Sequence, residues 1–192
     1  AAATLTKGPV AVVLPGAIWG GYLLLRGRSL LVVIDTGVRI FLPALALAAL
    51  WYLVAFDRGG ELFFDKFWSE NFERFTGTME DNPHEHSAVY LVGTLFIGLI
   101  PWSFYLIPAI FKGVIGPAQT FNSLKDAIVR LPQTIRAMDS LQLFAWIGAI
   151  GFLIFYSIPL SKRSVYLLPA YPWYALLVAQ YLIGLKNERI VN

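Results

Sequence analysis

Cysteine is absent from the sequence, which excludes disulfides, thiol nucleophiles and cysteine-held metals. Charge is scarce as well: 14% of the residues are Asp, Glu, Lys or Arg, where a soluble domain carries roughly a quarter. Histidine occurs twice only, as His84 and His86. There is no phosphate-cradling glycine loop, no GxGxxG, no Ser/His/Asp set and no nucleic-acid motif. The chain opens on AAATLTKGPV, with no initiator Met and no charged start leading into an apolar core and cleavage site. It reads as an internal piece of a longer protein.

What fills the space is apolar. Hydrophobic residues make up 57% of the chain and the mean hydropathy is +0.64. They come in blocks such as ALALAALWYLVAF and YLVGTLFIGLIPWSFYLIPAIF. About 20 apolar residues at 1.5 Å each cross the hydrocarbon layer of a bilayer. The expectation is an all-α integral membrane protein with spans over residues 9–25, 38–56, 87–111, 141–160 and 165–185. The first span is short and holds Pro15 and the pair Gly20-Gly21.

Five spans put the two ends of the chain on opposite sides, and the positive-inside trend orients them. One side carries Arg26, Arg28, Arg39, Lys112, Lys125, Arg130, Arg136, Lys186 and Arg189, nine basic residues with four acids. The other carries Lys7, Arg58, Lys66, Arg74, Lys162 and Arg163, six basic residues with eight acids. The first side is assigned to the cytoplasm, which makes residues 57–86 an extracytoplasmic loop.

Two segments between spans are amphipathic. In ELFFDKFWSENFERF, Phe64, Phe67, Trp68, Phe72 and Phe75 recur at helical spacing, with charges on the other face and Glu70 four residues before Arg74. An interfacial helix over about residues 61–76 is expected, its aromatics at headgroup depth. On the other side Phe121, Leu124, Ile128, Leu131 and Ile135 form a stripe beside Lys125, Arg130 and Arg136. That predicts a cytoplasmic amphipathic helix over about 121–137, resting on anionic lipid.

Candidate chemistry gathers on the outer side. LTKGP places Lys7 just before a helix that starts at Pro9. An anion there would meet both the ammonium and the helix dipole; the plain alternative is a snorkelling lysine. SKRSVYLLPAYPWY sets Lys162 and Arg163 at an outer boundary, against the positive-inside trend, ahead of Tyr166, Pro169 and Pro172. A bidentate guanidinium beside an ammonium suits phosphate, and an aromatic-belt anchor with a kink is the alternative. The HEH of His84 to His86 shows no third ligand, so no cofactor is assigned and a divalent metal stays open. Asp35 and Arg39 read as a compensated i,i+4 pair.

Taken in order, LTKGP, FWSENFERFTG with the following His84, PWSFYL and KRSVYLLPAYP resemble one group of polytopic glycosyltransferases. These are the relatives of the protein O-mannosyltransferases and the bacterial 4-amino-4-deoxy-L-arabinose lipid A transferases, of the bacterial family 39 type. The resemblance covers nearly the whole chain. It implies a GT-C fold, of which residues 1–192 are part of one transmembrane domain in a bacterial cytoplasmic membrane. It implies transfer of a sugar from a polyprenyl-phosphate donor to a lipid A, protein or glycan acceptor outside the cytoplasm. Lys7, Lys162 and Arg163 would meet the donor phosphate, and Arg74, Phe75, His84, His86 and Tyr166 would belong to the active-site loop. The family's catalytic acid lies in a first external loop that this sequence does not contain, so the piece alone is expected to be inactive. Membrane lipids are the remaining partners, and nucleic acid is not one. The rival readings are a lipid-linked sugar flippase, which would need charge near the bilayer midplane, and a non-catalytic membrane scaffold.

Overall fold

A computed structural model describes residues 1–78, 86–115 and 124–191. Among them the chain is helical almost throughout. In order come α1 (Ala2–Lys7), α2 (Val10–Leu25), α3 (Leu30–Trp68), a π-helical segment Ser69–Glu73 and the single turn α4 (Arg74–Thr76). Then follow α5 (Ala88–Gly98), α6 (Ser103–Ile115), α7 (Leu124–Ala137), α8 (Ser140–Ser157), a 3₁₀ segment Ser164–Ala170 and α9 (Tyr171–Val191).

α8 is the helix around which the core forms. Its sequence FAWIGAIGF buries Ala145, Gly148, Ala149 and Phe152, and small residues let membrane helices approach closely. Ile18 of α2 lies against Gly151, and Ile147 of α8 lies against Gly21. On the other flank the Trp173 ring covers Gly148, and the Tyr174 hydroxyl donates to the Ala149 carbonyl at 2.9 Å. Arg26, just past the end of α2, donates to the Ser140 hydroxyl at 3.3 Å. α2 and α8 therefore run antiparallel.

The expected span over 87–111 is not one helix: α5 and α6 meet at a bend of 114°. Pro101, with no N–H to donate, interrupts the ladder there. α5 packs beside the 3₁₀ segment, whereas the Lys112 ammonium near the end of α6 sits over the Tyr181 ring, 5.9 Å from its centroid. The pair thus runs from one end of the bundle to the other.

α3 is two helices joined at Gly60, whose φ of 55° and ψ of −146° are non-helical. The rings of Trp51 and Phe63 come within 6.1 Å, and those of Tyr52 and Phe67 within 5.3 Å. In one straight helix, Tyr52 and Phe67 would stand about 22 Å apart. The aromatic run after Gly60 therefore folds back at an acute angle onto the end of the preceding helix. Phe56 is held between, meeting both Phe63 and Phe67.

By length and apolarity the described residues hold two helices able to cross a membrane, Leu30–Glu73 and Ser140–Ser157, or three if the α5–α6 pair counts as one. That agrees with an all-α membrane protein but changes the expected boundaries. The span expected at 9–25 is a 16-residue apolar helix, about 24 Å long. The one expected at 165–185 begins as a 3₁₀ turn around Pro169 and becomes α-helical only at Tyr171. The helix expected at 121–137 is observed as α7, Leu124–Ala137. The i,i+4 pair Asp35–Arg39 forms at 3.0 Å on an exposed surface.

The backbone at Gly60 lies close to a region that side-chain-bearing residues almost never occupy. Gly60→Ala is expected to lower stability by about 1–3 kcal/mol, read as an earlier thermal unfolding transition in detergent. Gly37→Ala, on a helix with open space around the added methyl, should leave stability unchanged or raise it by up to about 1 kcal/mol.

Candidate functional site

The fold-back of α3 carries the sequence FWSENFERFTG into contact with two other motifs. α1 ends at Gly8, whose φ is 67° and whose amide donates to the Thr4 carbonyl at 2.9 Å. A Cβ at Gly8 would collide with the Asn71 side chain in the π-helical segment, so glycine is required twice over. Asn71 is itself fixed, its amide donating to the Phe67 carbonyl at 2.8 Å. The Tyr52 hydroxyl donates to the Thr4 carbonyl at 3.0 Å and ties α1 to α3. Lys7 therefore stands, exposed, at the seam between α1 and the π-helical segment.

One turn further, the Phe75 ring lies 5.7 Å from that of Phe155 near the end of α8. Gly77 then closes α4 in the left-handed conformation, φ 74°, the usual glycine stop for a helix. The Leu160 side chain occupies the space a Cβ at Gly77 would need. Leu160 leads directly into Ser161, Lys162 and Arg163.

Lys162 is 4% exposed, which is unusual for a lysine. Its ammonium donates to the Pro159 carbonyl. An ammonium has three donors, and among the described residues the ion pairs are Asp35–Arg39 and Lys66–Glu70, neither involving Lys162. Burying an ionised group costs several kcal/mol unless it is compensated. Beside it, the Nε of half-buried Arg163 is shielded from solvent and has no protein acceptor. The Tyr166 amide donates to the Arg163 carbonyl at 3.1 Å. The Tyr166 ring stacks on Tyr156, 5.2 Å between centroids at 23°, and Tyr156 meets Phe155 edge-on.

The structure thus gathers Phe75, Lys162, Arg163 and Tyr166 around the end of α8, with Lys7 joined to them through Gly8 and Asn71. His86 is exposed at the entry to α5 and stacks on Tyr90, 4.1 Å between centroids. The side chain of Arg74 and the whole of His84 lie outside the described residues. Lys66 reaches Glu70 at 3.3 Å, an i,i+4 contact the sequence analysis did not single out. Asn71 and Tyr156 were also missed. For Asn71 the signal was its place in the row Phe67, Asn71, Phe75, a polar residue at i,i+4 between two ring-bearing positions. A groove of about 700 Å³ lies on the outer run of α3, lined by Gly59, Leu62, Phe63, Asp65, Lys66 and Ser69. It contains none of the expected site residues.

Known proteins bear on this arrangement through sequence alone. No family profile and no solved structure matches the chain. The undecaprenyl phosphate-α-4-amino-4-deoxy-L-arabinose arabinosyl transferase of Shewanella sediminis is 29% identical over all of this chain and 32% of its own length. The enzyme of that name from Aeromonas hydrophila is 29% identical over 96% of this chain and 30% of its own length. An uncharacterised protein of Aquifex aeolicus is 30% identical over 99% of this chain and 33% of its own length. The chain thus spans about a third of the length of the curated relatives it matches, and it is similar to undecaprenyl-phosphate 4-amino-4-deoxy-L-arabinose transferases over nearly all of its own length.

Proposed function

We propose that this chain forms the donor-phosphate side of a membrane glycosyltransferase, which moves a sugar from a polyprenyl-phosphate carrier to an acceptor outside the cytoplasm. The observation that carries the reading is the buried Lys162 ammonium, with donors to spare next to the unpartnered Nε of Arg163. A phosphate presented there would offset the cost of burying the charge and accept from both side chains. The relatives' name supplies the matching ligand, an undecaprenyl phosphate carrying a sugar.

The chemistry follows from charge. As the bond from the sugar's anomeric carbon to the phosphate oxygen breaks, negative charge grows on the departing phosphate. Lys162 and Arg163 stabilise that charge more strongly than they do the intact donor, which is where binding turns into rate. Lys7, exposed at the adjoining seam, is a third contact for the same phosphate. The acceptor hydroxyl must lose its proton to a base, and a carboxylate from outside this chain fills that role. Phe75, Tyr166, His86 and the external loop that includes Arg74 and His84 flank the donor site. The charge distribution supports residues 57–86 on the outer side of a bacterial cytoplasmic membrane, with lipid A, a protein or a glycan as acceptor.

In the full-length parent, Lys162→Gln is expected to lower sugar transfer from a labelled polyprenyl-phosphate donor by about 100-fold, and Lys162→Arg by less. Unchanged transfer and unchanged carrier binding in Lys162→Gln would sink the phosphate assignment. No transfer from any such donor by the unsubstituted parent would sink the enzyme class.

Gly77→Ala forces a left-handed alanine, at about 1–2 kcal/mol, against Leu160. We expect limited proteolysis to cut the Ser69–Thr78 segment faster in this variant, and transfer to fall with it.

A further inference from the structure

The α7 helix takes no part in the donor site, and its residues are distributed in an uncommon way. At about 100° per residue, Leu124, Ala127, Ile128, Leu131 and Ile135 share one face. Lys125 and Arg136 fall roughly 100–125° to one side of its centre, and Arg130 about 115° to the other. The cations thus sit on both margins of the apolar face. Asp126 and Gln133 fall at the middle of the polar face. A helix packed wholly inside a protein has no use for such margins. One half-sunk in a bilayer surface does, because a long basic side chain reaches from the apolar boundary up to the headgroup phosphates.

The surroundings agree. Leu131 is 38% exposed although it lies on the apolar face, and Arg136 is exposed. Two residues, Met138 and Asp139, join α7 to α8 at the end where Arg26 meets Ser140. Exposed Arg28 and Lys186 lie toward the same end of the bundle. This end of the molecule is basic, and α7 joins it, packed beside α6.

We propose that α7 is a membrane-surface helix that docks on acidic phospholipid headgroups. The proposal does not depend on the donor site and is read without any activity. Each docked Lys or Arg draws on the negative surface potential, so each one removed should lower the docked-to-free ratio about fivefold.

The lack of cysteine makes the test direct. Single cysteines at Leu131, Ile135 and Gln133 are labelled with an environment-sensitive fluorophore in the 192-residue chain, reconstituted into phosphatidylcholine vesicles with or without phosphatidylglycerol. With phosphatidylglycerol, labels at 131 and 135 should resist quenching by aqueous acrylamide while the label at 133 does not. Protection should fade at high salt and in K125Q/R130Q/R136Q. Asp126→Lys, which replaces a negative charge with a positive one, should carry protection to higher salt. Equal quenching at all three positions would overturn the proposal. So would protection that is the same without phosphatidylglycerol and in the triple variant, which would mean that protein or a second copy of the chain covers the face.

Discussion

The half of this structure that holds the candidate site hangs on one turn, at Gly60. Once the chain reverses there, Trp51, Tyr52 and Phe56 on the spanning helix meet Phe63, Phe64 and Phe67 on the returning one. Edge-to-face ring pairs of this kind each contribute about 0.5–1.5 kcal/mol beyond their buried area, and together they hold the two helices in register. That register decides which residues come next: Asn71 reaches Gly8, Phe75 reaches Phe155 and Gly77 reaches Leu160. An uninterrupted α3 would carry these residues away from α1 and α8, and Lys7 would have no connection to Lys162.

The bundle around α8 obeys a different constraint. In lipid there is no water to drive apolar surfaces together, so helices associate through close packing. α8 meets that demand by giving up side-chain volume at Gly148, Ala149 and Gly151, which admits Trp173 on one flank and Ile18 on the other. Along α3 rings pair with rings, and in the bundle Trp173 packs on Gly148 as well as edge-on against Phe144.

Much of this was legible in the sequence, for local reasons. The apolar blocks, the Asp35–Arg39 pair and the stretch that became α8 depend on neighbours within one or two turns. The 3₁₀ segment is foreshadowed by Pro169 and Pro172. What escaped depends on contacts between residues far apart or hidden by composition. The aromatic stripe of residues 64–75 announces a helix with a greasy face, but not that its partner is the preceding helix. The break at Leu99–Trp102 sits inside an unbroken apolar run, where Pro101 is compatible with either a kink or a sharp bend. Of the site, Lys162 and Arg163 drew notice because cations at that boundary run against trend. Their burial could not be read, since it comes from the tertiary fold around the end of α8 and not from their neighbours in sequence.

The bend between α5 and α6 has a consequence for the surface. A backbone turned through 114° interrupts its regular ladder, yet the amides of Leu99, Ile100, Ser103 and Tyr105 all find carbonyls at the bend. Ile97, Ile100, Trp102 and Phe104 are nevertheless exposed around that bend. The described residues leave those side chains uncovered, so the bend is a greasy shoulder on the molecule rather than a packed joint.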